Sequence, residues 1–67
     1  MKKKMYIISV DLLEEGTEFR SLTDENVKKI AEENLDNGAR IYDSLEDLSY
    51  DWNNDLIDSS TTYMRIC

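Results

Sequence analysis

The strongest periodic pattern in the sequence lies between Leu22 and Gly38, and it predicts an α-helix. Apolar residues recur there at intervals of three and four, which places them on one helical face. These residues are Val27, Ile30, Ala31 and Leu35. Thr23 suits the N-cap, because its hydroxyl can accept a hydrogen bond from an unpaired amide in the first turn. Asn37 and Gly38 tolerate the left-handed conformation at which helices end, so we expect the helix to stop there.

The two ends of the chain carry the alternation that is typical of β-strands. Residues 4–12 alternate β-branched and aromatic side chains with other residues, which predicts a first strand. A last strand is predicted from Thr62 to Ile66, and we expect it to lie beside the first. Its alternation places Tyr63 and Arg65 on one side of the sheet. The side chains expected to face the core are Thr62, Met64 and Ile66.

Two segments between these elements each allow two interpretations. A turn is predicted at Glu14–Thr17, where Gly16 can take a positive φ. After this turn, residues 17–21 fit either a short second strand that buries Phe19 or a loop capped by the same ring. Residues 39–42 fit either a connector or a strand.

A second helix is predicted after Ser44, which can act as its N-cap, with Asp47 at the third position of a capping-box-like arrangement. Its apolar stripe consists of Leu45, Leu48, Trp52 and Leu56. A large aromatic residue at helical spacing is typically part of a core, so Trp52 is predicted to be buried. Asn53 and Asn54 favour turns and are expected to end the helix.

These elements predict the fold class. We expect a single α+β domain over residues 1–67, with two helices packed on one face of a small, mostly antiparallel sheet of about two to four strands. Residues 1–3 are expected to form a disordered arm. A domain of 67 residues is near the size at which a core alone is only marginally stabilising.

The charge of the chain is strongly unbalanced. The formal net charge is −7, although three of the eight basic residues, Lys2, Lys3 and Lys4, lie in the N-terminal arm. The rest of the chain carries five basic residues against fifteen acidic ones. Such a surface repels nucleic acid and anionic lipid, so we expect no direct binding to either. It can attract a partner protein with a basic surface.

Several classes of chemistry are excluded by composition. The chain has no histidine, which removes the Ser-His-acid triad and leaves a structural zinc site without its usual ligands. Cys67 is the one cysteine, so no internal disulfide can form. No apolar stretch is long enough to cross a membrane, and the reducing cytoplasm is the expected location. We therefore predict no catalytic residue, no cofactor and no enzymatic activity.

A calcium-binding loop is partly matched and then fails. Asp51, Asn53 and Asp55 stand at the spacing of the first three ligands of such a loop. Leu56 then occupies the position that needs glycine, and Thr62 occupies the position of the bidentate glutamate. We therefore predict no metal site.

One acidic pattern is regular enough to suggest a binding surface. Aspartate recurs at every fourth residue as Asp43, Asp47, Asp51 and Asp55. On a helix the repeat is about 6 Å along the axis, against roughly 7 Å between neighbouring phosphates on one DNA strand. Like charges at this spacing destabilise a helix, so stability alone does not favour the row. The row is a candidate partner-binding site, and an ordinary solvated helix face is the alternative.

A second candidate surface follows from the predicted layers. Two helices on one face would leave the other face of the sheet uncovered. Its predicted residues are Met5 and Ile7 from the first strand, with Tyr63 and Arg65 from the last. An exposed apolar group of this kind often marks an interface, which makes a homodimer possible.

Residues 42–55 also carry a resemblance. Tyr42, then Ser44 and Leu45, followed by acidic residues and by an aromatic residue with asparagine at Trp52 and Asn53, form a recurring pattern. This pattern resembles small acidic orphan proteins of gut bacteria and their mobile elements, although Asp43 interrupts the Tyr-Ser pair. The resemblance implies a bacterial or phage accessory protein, and that group has no established activity to carry over.

The function predicted from the sequence is therefore binding rather than catalysis. The leading interpretation is a non-enzymatic accessory or regulatory protein that acts through a protein–protein interaction. The alternative is an acidic nucleic-acid mimic that inhibits a DNA- or RNA-binding protein by occupying its basic groove.

Overall fold

The computed structural model describes residues 3–67, which form a three-stranded antiparallel sheet and two helices. The strands are β1 (Met5–Ser9), β2 (Ala39–Tyr42) and β3 (Thr62–Ile66), and the helices are α1 (Asp24–Glu33) and α2 (Leu45–Asn53). Two short 3-10 turns span Val10–Leu12 and Phe19–Ser21. The strand order is β2-β1-β3, and both neighbours run antiparallel to β1.

The α+β class and the small antiparallel sheet are confirmed, and the last strand lies beside the first as predicted. Residues 39–42 form a strand rather than a connector. Residues 17–21 contain a 3-10 turn instead of a strand, which agrees with the loop alternative. Of the arm predicted to be disordered, residues 1 and 2 lie outside the described residues.

The register of the sheet sorts its side chains onto two faces. We call them the α1 face and the α2 face, after the helix that packs on each. The α1 face carries Tyr6, Ile8, Ala39, Ile41, Tyr63 and Arg65. The α2 face carries Met5, Ile7, Arg40, Tyr42, Met64 and Ile66.

The two helices pack on opposite faces, which corrects the prediction that they share one. Val27 and Ala31 of α1 join a core cluster with Tyr6, Ile8 and Ala39. Leu48 of α2 joins a separate cluster, whose other members are Met5, Ile7, Tyr42 and Ile57. The physical reason lies in β1, where four consecutive residues are apolar and buried. A strand that is apolar on both sides needs a covering layer on both faces.

The start of α1 is confirmed, but its end comes earlier than predicted. The Oγ1 of Thr23 accepts a hydrogen bond from the amide of Asn26 at 3.2 Å. The helix ends at Glu33, because the side-chain amide of Asn34 donates to the carbonyl of Ile30 at 2.8 Å and competes with the helical backbone. The chain then turns until Gly38, whose φ is +98°. A side chain there would place its Cβ 3.1 Å from the Cβ of Ser9.

The first strand is also shorter than predicted. It ends at Ser9, whose Oγ accepts a hydrogen bond from the amide of Asp11 at 3.3 Å. This bond caps the 3-10 turn that follows, so residues 10–12 leave the sheet. The alternation from residue 4 to residue 12 therefore covers two different elements.

The second helix begins at its predicted cap and ends in a Schellman motif. The Oγ of Ser44 accepts from the amide of Asp47 at 3.2 Å. At the other end, the amide of Leu56 donates to the carbonyl of Asp51 at 3.0 Å, and the amide of Asp55 donates to that of Trp52 at 3.3 Å. Asp55 has a φ of +59° and so occupies the left-handed position where glycine is most common.

The predicted burial of Trp52 is wrong. Its side chain is 42% exposed, whereas Leu48 is the one residue of α2 that is buried. The reason is the position of the helix, since α2 packs mainly against β2 and meets β3 across an open cavity that Trp52 and Met64 line. Residues on the β3 side of α2 consequently have no complete covering layer.

Candidate functional site

The acidic row predicted from the sequence is not a continuous helical row in the structure. Only Asp47 and Asp51 lie within α2. Asp43 precedes the helix and lies 3.5 Å from the Nζ of Lys4, and Asp55 follows the helix in the left-handed conformation. The four aspartates therefore do not form an evenly spaced helical row, because only two of them belong to α2.

The carboxylate of Asp51 points toward the sheet and is largely shielded from solvent. Its Oδ2 accepts a hydrogen bond from the hydroxyl of Tyr42 at 2.7 Å and lies 3.7 Å from the Nη1 of Arg40. Burial, and then the bond and charge of Asp51, raise the pKa of the Tyr42 hydroxyl above its ordinary value of 10.0. These contacts join α2 to β2, so Asp51 has a structural role.

These positions bear on two of the sequence hypotheses. Mimicry of nucleic acid stays a prediction, now without the helical spacing that suggested it. Of the three residues that match a calcium loop, Asp51 directs its carboxylate to Tyr42. Within residues 3–67, no three acidic or thiol side chains lie close enough together to hold a metal ion.

The residues predicted to form a dimer face are not brought together. Met5 and Ile7 lie on the α2 face and are buried beneath α2, whereas Tyr63 and Arg65 lie on the α1 face. The physical reason is register: Met5 pairs with Ile66, so odd-numbered residues of β1 share a face with even-numbered residues of β3. The prediction that these four form one surface is wrong.

On the α1 face, β3 is partly covered by the segment around Phe19, and Tyr63 stays 42% exposed. The ring of Phe19 stacks on that of Tyr63, with centroids 4.9 Å apart and an angle of 9° between the planes. The guanidinium of Arg65 lies 4.7 Å from the centroid of the same ring. It also donates to the carbonyl of Phe19 at 3.0 Å and to that of Leu22. Arg65 thus fastens this segment over the strand.

On the α2 face, β3 is open and apolar. Met64 and Ile66 were predicted to face the core, but they are 44% and 55% exposed because no layer fully covers β3 on this face. Trp52 faces Met64 from α2, since the two side chains line the same cavity of about 280 Å³ together with Leu48 and Ser49. Leu45 lies seven residues before Trp52, on the same side of the helix, and is also exposed. We call Leu45, Trp52, Met64 and Ile66 the β3 patch.

The β3 patch adjoins an open strand edge. The amide of Val10 donates to the carbonyl of Thr61 at 2.8 Å, and that of Cys67 donates to the carbonyl of Lys4 at 2.9 Å. Backbone groups alternate in direction along an antiparallel pair, so those of Tyr63 and Arg65 also point toward β1. The amides and carbonyls that point away from β1 are those of Thr62, Met64 and Ile66. No other segment within residues 3–67 pairs with this edge.

The opposite edge of the sheet, on β2, is less accessible. The same alternation directs the backbone groups of Ala39 and Ile41 outward, because Ser9 donates to the carbonyl of Gly38 at 2.9 Å on the inner side. The amide of Ala39 already donates to the carbonyl of Asn34 at 3.0 Å. The β2 edge therefore offers fewer free groups than the β3 edge.

A larger concavity of about 430 Å³ lies at the far end of the α2 face. Exposed Leu35 and Leu56 line it together with Arg40 and Asp58. The carboxylate of Asp58 accepts from the hydroxyl and the amide of Ser60, at 2.6 and 3.0 Å, and these bonds lower the pKa of Asp58. Asp58 thus stabilises the turn that leads into β3, and its carboxylate is occupied by the hydrogen bonds to Ser60.

Sequence reasoning identified the residues of β3 but not the exposed β3 patch to which Met64 and Ile66 belong. The missed signal is the continuous apolar run of residues 5–8, which requires cover on both faces. One short helix per face is too narrow for three strands, so part of the sheet must stay open.

Neither α1 nor α2 has the length and apolar content that crossing a bilayer requires, and they are the α-helices of the described part of the chain. The resemblance of residues 42–55 to small acidic proteins of gut bacteria stays a prediction. The chain matches no protein-family model, no curated protein and no solved structure.

Proposed function

We propose that this chain is a non-enzymatic accessory or regulatory protein that acts by binding another polypeptide through the β3 patch. The observation that carries the proposal is the exposed apolar group of Trp52, Met64 and Ile66 beside the open backbone edge of β3. Apolar patches of this kind mark interaction sites on small proteins. A strand edge adds main-chain hydrogen bonds, as in recognition by strand addition.

Apolar surface that β3 leaves in water is a source of binding free energy. Full burial of a large apolar side chain contributes about 1.5–3 kcal/mol. Met64 and Ile66 are roughly half exposed, so a bound polypeptide can still recover a substantial part of that free energy. The outward amides and carbonyls of β3 then fix the direction and register of the bound segment.

The contrast in charge supports the same surface. The chain has a net charge of −7, yet the four residues of the β3 patch are all uncharged. Interface centres are typically depleted in charged residues, which remain at the rim. In α2, Glu46 and Asp47 provide such a charged border next to Leu45.

The test is patch-dependent capture of protein from a lysate of the native host, with mass spectrometry that also counts copies of this chain. Three immobilised forms are compared: the unmodified chain, the double variant Trp52→Ala with Met64→Ser, and Tyr50→Ala. Tyr50 is the matched control, because it is an exposed aromatic residue on the same helix but outside the patch.

We expect the double variant to lose about tenfold or more of the captured protein, since tenfold corresponds to about 1.4 kcal/mol of binding free energy. The Tyr50→Ala form should capture as much as the unmodified chain. Denaturation curves check that all three forms are folded. Equal capture by all three forms would contradict the proposal.

A further inference from the structure

We infer that the polypeptide bound at the β3 patch is a second copy of this chain, with β3 pairing antiparallel to β3 about a two-fold axis at Met64. This inference rests on the proposed function, which makes the β3 patch a protein-binding surface. Three features support it: the spacing of the free backbone groups, the side chains that pairing brings together, and the distribution of charge.

The free backbone groups are placed symmetrically. The outward amides and carbonyls belong to Thr62, Met64 and Ile66, with Met64 at the centre of the strand. Antiparallel pairing centred on Met64 places Met64 opposite its own counterpart and Thr62 opposite Ile66. Every outward group of one copy then meets an outward group of the other. The result is one continuous sheet across the two copies.

The same register brings compatible side chains together. On the α2 face, Met64 packs against Met64 of the second copy, next to the cavity that Trp52 lines. On the α1 face, Tyr63 lies opposite Arg65 of the second copy, which is a favourable pairing of an aromatic ring with a guanidinium. No two like charges are directly opposite each other.

The charge of β3 is unusual for this chain. Natural sheets often protect an edge strand with lysine, proline or inward-pointing charges. The sequence of β3 contains no acidic residue, lysine, proline or glycine, and its one charge, Arg65, is turned to the α1 face. Arg65 is held by the carbonyl of Phe19, so no charge of β3 lies on the α2 face beside Met64 and Ile66.

Disulfide cross-linking tests the register directly, in single-cysteine variants that also carry Cys67→Ser. Directly paired residues have Cα atoms about 5.5 Å apart, within the roughly 4.4–6.8 Å that a disulfide spans. Met64→Cys should therefore cross-link with itself under mild oxidation. Thr62→Cys and Ile66→Cys should not self-link, because four residue steps separate identical positions by about 13 Å. A mixture of these two variants should cross-link.

The alternative outcomes overturn the inference. Failure of Met64→Cys to cross-link, or equal self-linking by all three variants, shows that β3 does not pair in this register. The second case indicates random collision rather than a specific complex.

Sedimentation separates this inference from the proposed function. We expect a two-chain mass at high micromolar concentration, and a one-chain mass for Met64→Lys. Leu35→Lys is the matched control, since Leu35 is an exposed apolar residue outside the patch. Association should also strengthen between about 50 and 500 mM salt, because salt screens the repulsion between the two chains.

A one-chain mass under all conditions would contradict the inference that a second copy binds at the β3 patch. If patch-dependent capture of a different protein persists in that case, the proposed function stands and another polypeptide is the occupant. If capture is also independent of the patch, both proposals are overturned.

Discussion

The two faces of the sheet are built from similar strands but are closed to different extents. On the α1 face, α1 covers β1 and β2, and the segment around Phe19 partly covers β3. On the α2 face, α2 lies against β2, and β3 has no such segment, so Met64 and Ile66 stay exposed. The difference comes from one added piece of chain, the residues between β1 and α1.

This comparison separates the residues that stabilise the fold from the apolar residues that stay exposed within a very small domain. Ile8 and Val27, on the closed side, are completely buried and carry much of the core. The open side retains apolar surface that has not yet been removed from water. The α1 face thus holds the two most deeply buried side chains, while the α2 face leaves the larger apolar group of β3 exposed.

The largest expected effect is on the free energy of unfolding, which should fall much more for a buried residue of β1 than for an exposed residue of β3. Ile8→Ala should lower the free energy of unfolding by about 3 kcal/mol, because it removes buried methyl groups and leaves a cavity. Met64→Ala, measured below the concentration at which copies associate, should cost less than about 1 kcal/mol because its side chain is already part exposed. Chemical denaturation measures both, and equal losses would contradict the contrast between the faces.

The next largest effect is expected from the hydrogen bonds by which Arg65 holds the segment around Phe19 against β3. Arg65→Met should lower the free energy of unfolding by about 2 kcal/mol, because two carbonyl groups lose a charged donor. Arg65→Lys should rescue little of this, since an ammonium cannot reproduce the planar fork of donors.

The control for this prediction is Arg20→Met. Arg20 is an exposed residue that pairs only with Glu18, two residues away, and such surface pairs contribute little. A loss for Arg65→Met no larger than that for Arg20→Met would show that the segment is not fastened by Arg65.

A smaller effect is expected where α2 is joined to the sheet. Tyr42→Phe removes the hydrogen bond to Asp51 and should cost about 1 kcal/mol near neutral pH. The raised pKa of Tyr42 means that the folded chain keeps this proton to higher pH than the unfolded chain. Its contribution is therefore complete below pH 10.0 and is lost as pH rises through the folded-state pKa.

Denaturation at a series of alkaline pH values checks this. Above about pH 10, the unmodified chain should lose stability more steeply than Tyr42→Phe. Parallel curves for the two proteins would mean that Tyr42 does not couple folding to pH.

The smallest expected effect is a gain in stability at the end of α2. Asp55→Gly relieves the left-handed conformation, although glycine also increases the freedom of the unfolded chain, so we expect a net gain of about 0.5 kcal/mol. Asn54→Gly is the contrasting substitution and should lose at least as much, because Asn54 has a negative φ of −98° and its side-chain amide donates to the carbonyl of Tyr50 at 2.7 Å. A loss for Asp55→Gly would indicate that the Asp55 side chain itself stabilises the turn.

The local signals in the sequence predicted element types well. Thr23 and Ser44 cap their helices through the bonds expected of them, and β3 has the predicted bounds. These features depend on neighbouring residues, so a linear pattern contains the information. Element ends were less predictable, because Asn34 and Ser9 use their side chains to stop α1 and β1 early.

The β3 patch depends on longer-range relations that the linear pattern does not contain. Whether Trp52 is buried depends on where α2 lies across the strands, which is a property of the whole sheet. The faces of Met64 and Arg65 depend on the register between β1 and β3. The segment around Phe19 contacts β3 although the two are far apart in the sequence. The hydrogen bond from Arg65 to the carbonyl of Leu22, for example, joins residues that are 43 positions apart.

Amide hydrogen exchange along β3 tests the central claim most directly, because neighbouring residues of one strand report on its two edges. In dilute solution we expect slow exchange at Tyr63 and Arg65, which are bonded to β1, and fast exchange at Met64 and Ile66. At high concentration, Met64 and Ile66 should slow by about tenfold or more as the second copy covers their amides. Slow exchange at Met64 and Ile66 in dilute solution, or fast exchange that concentration does not change, would contradict the account.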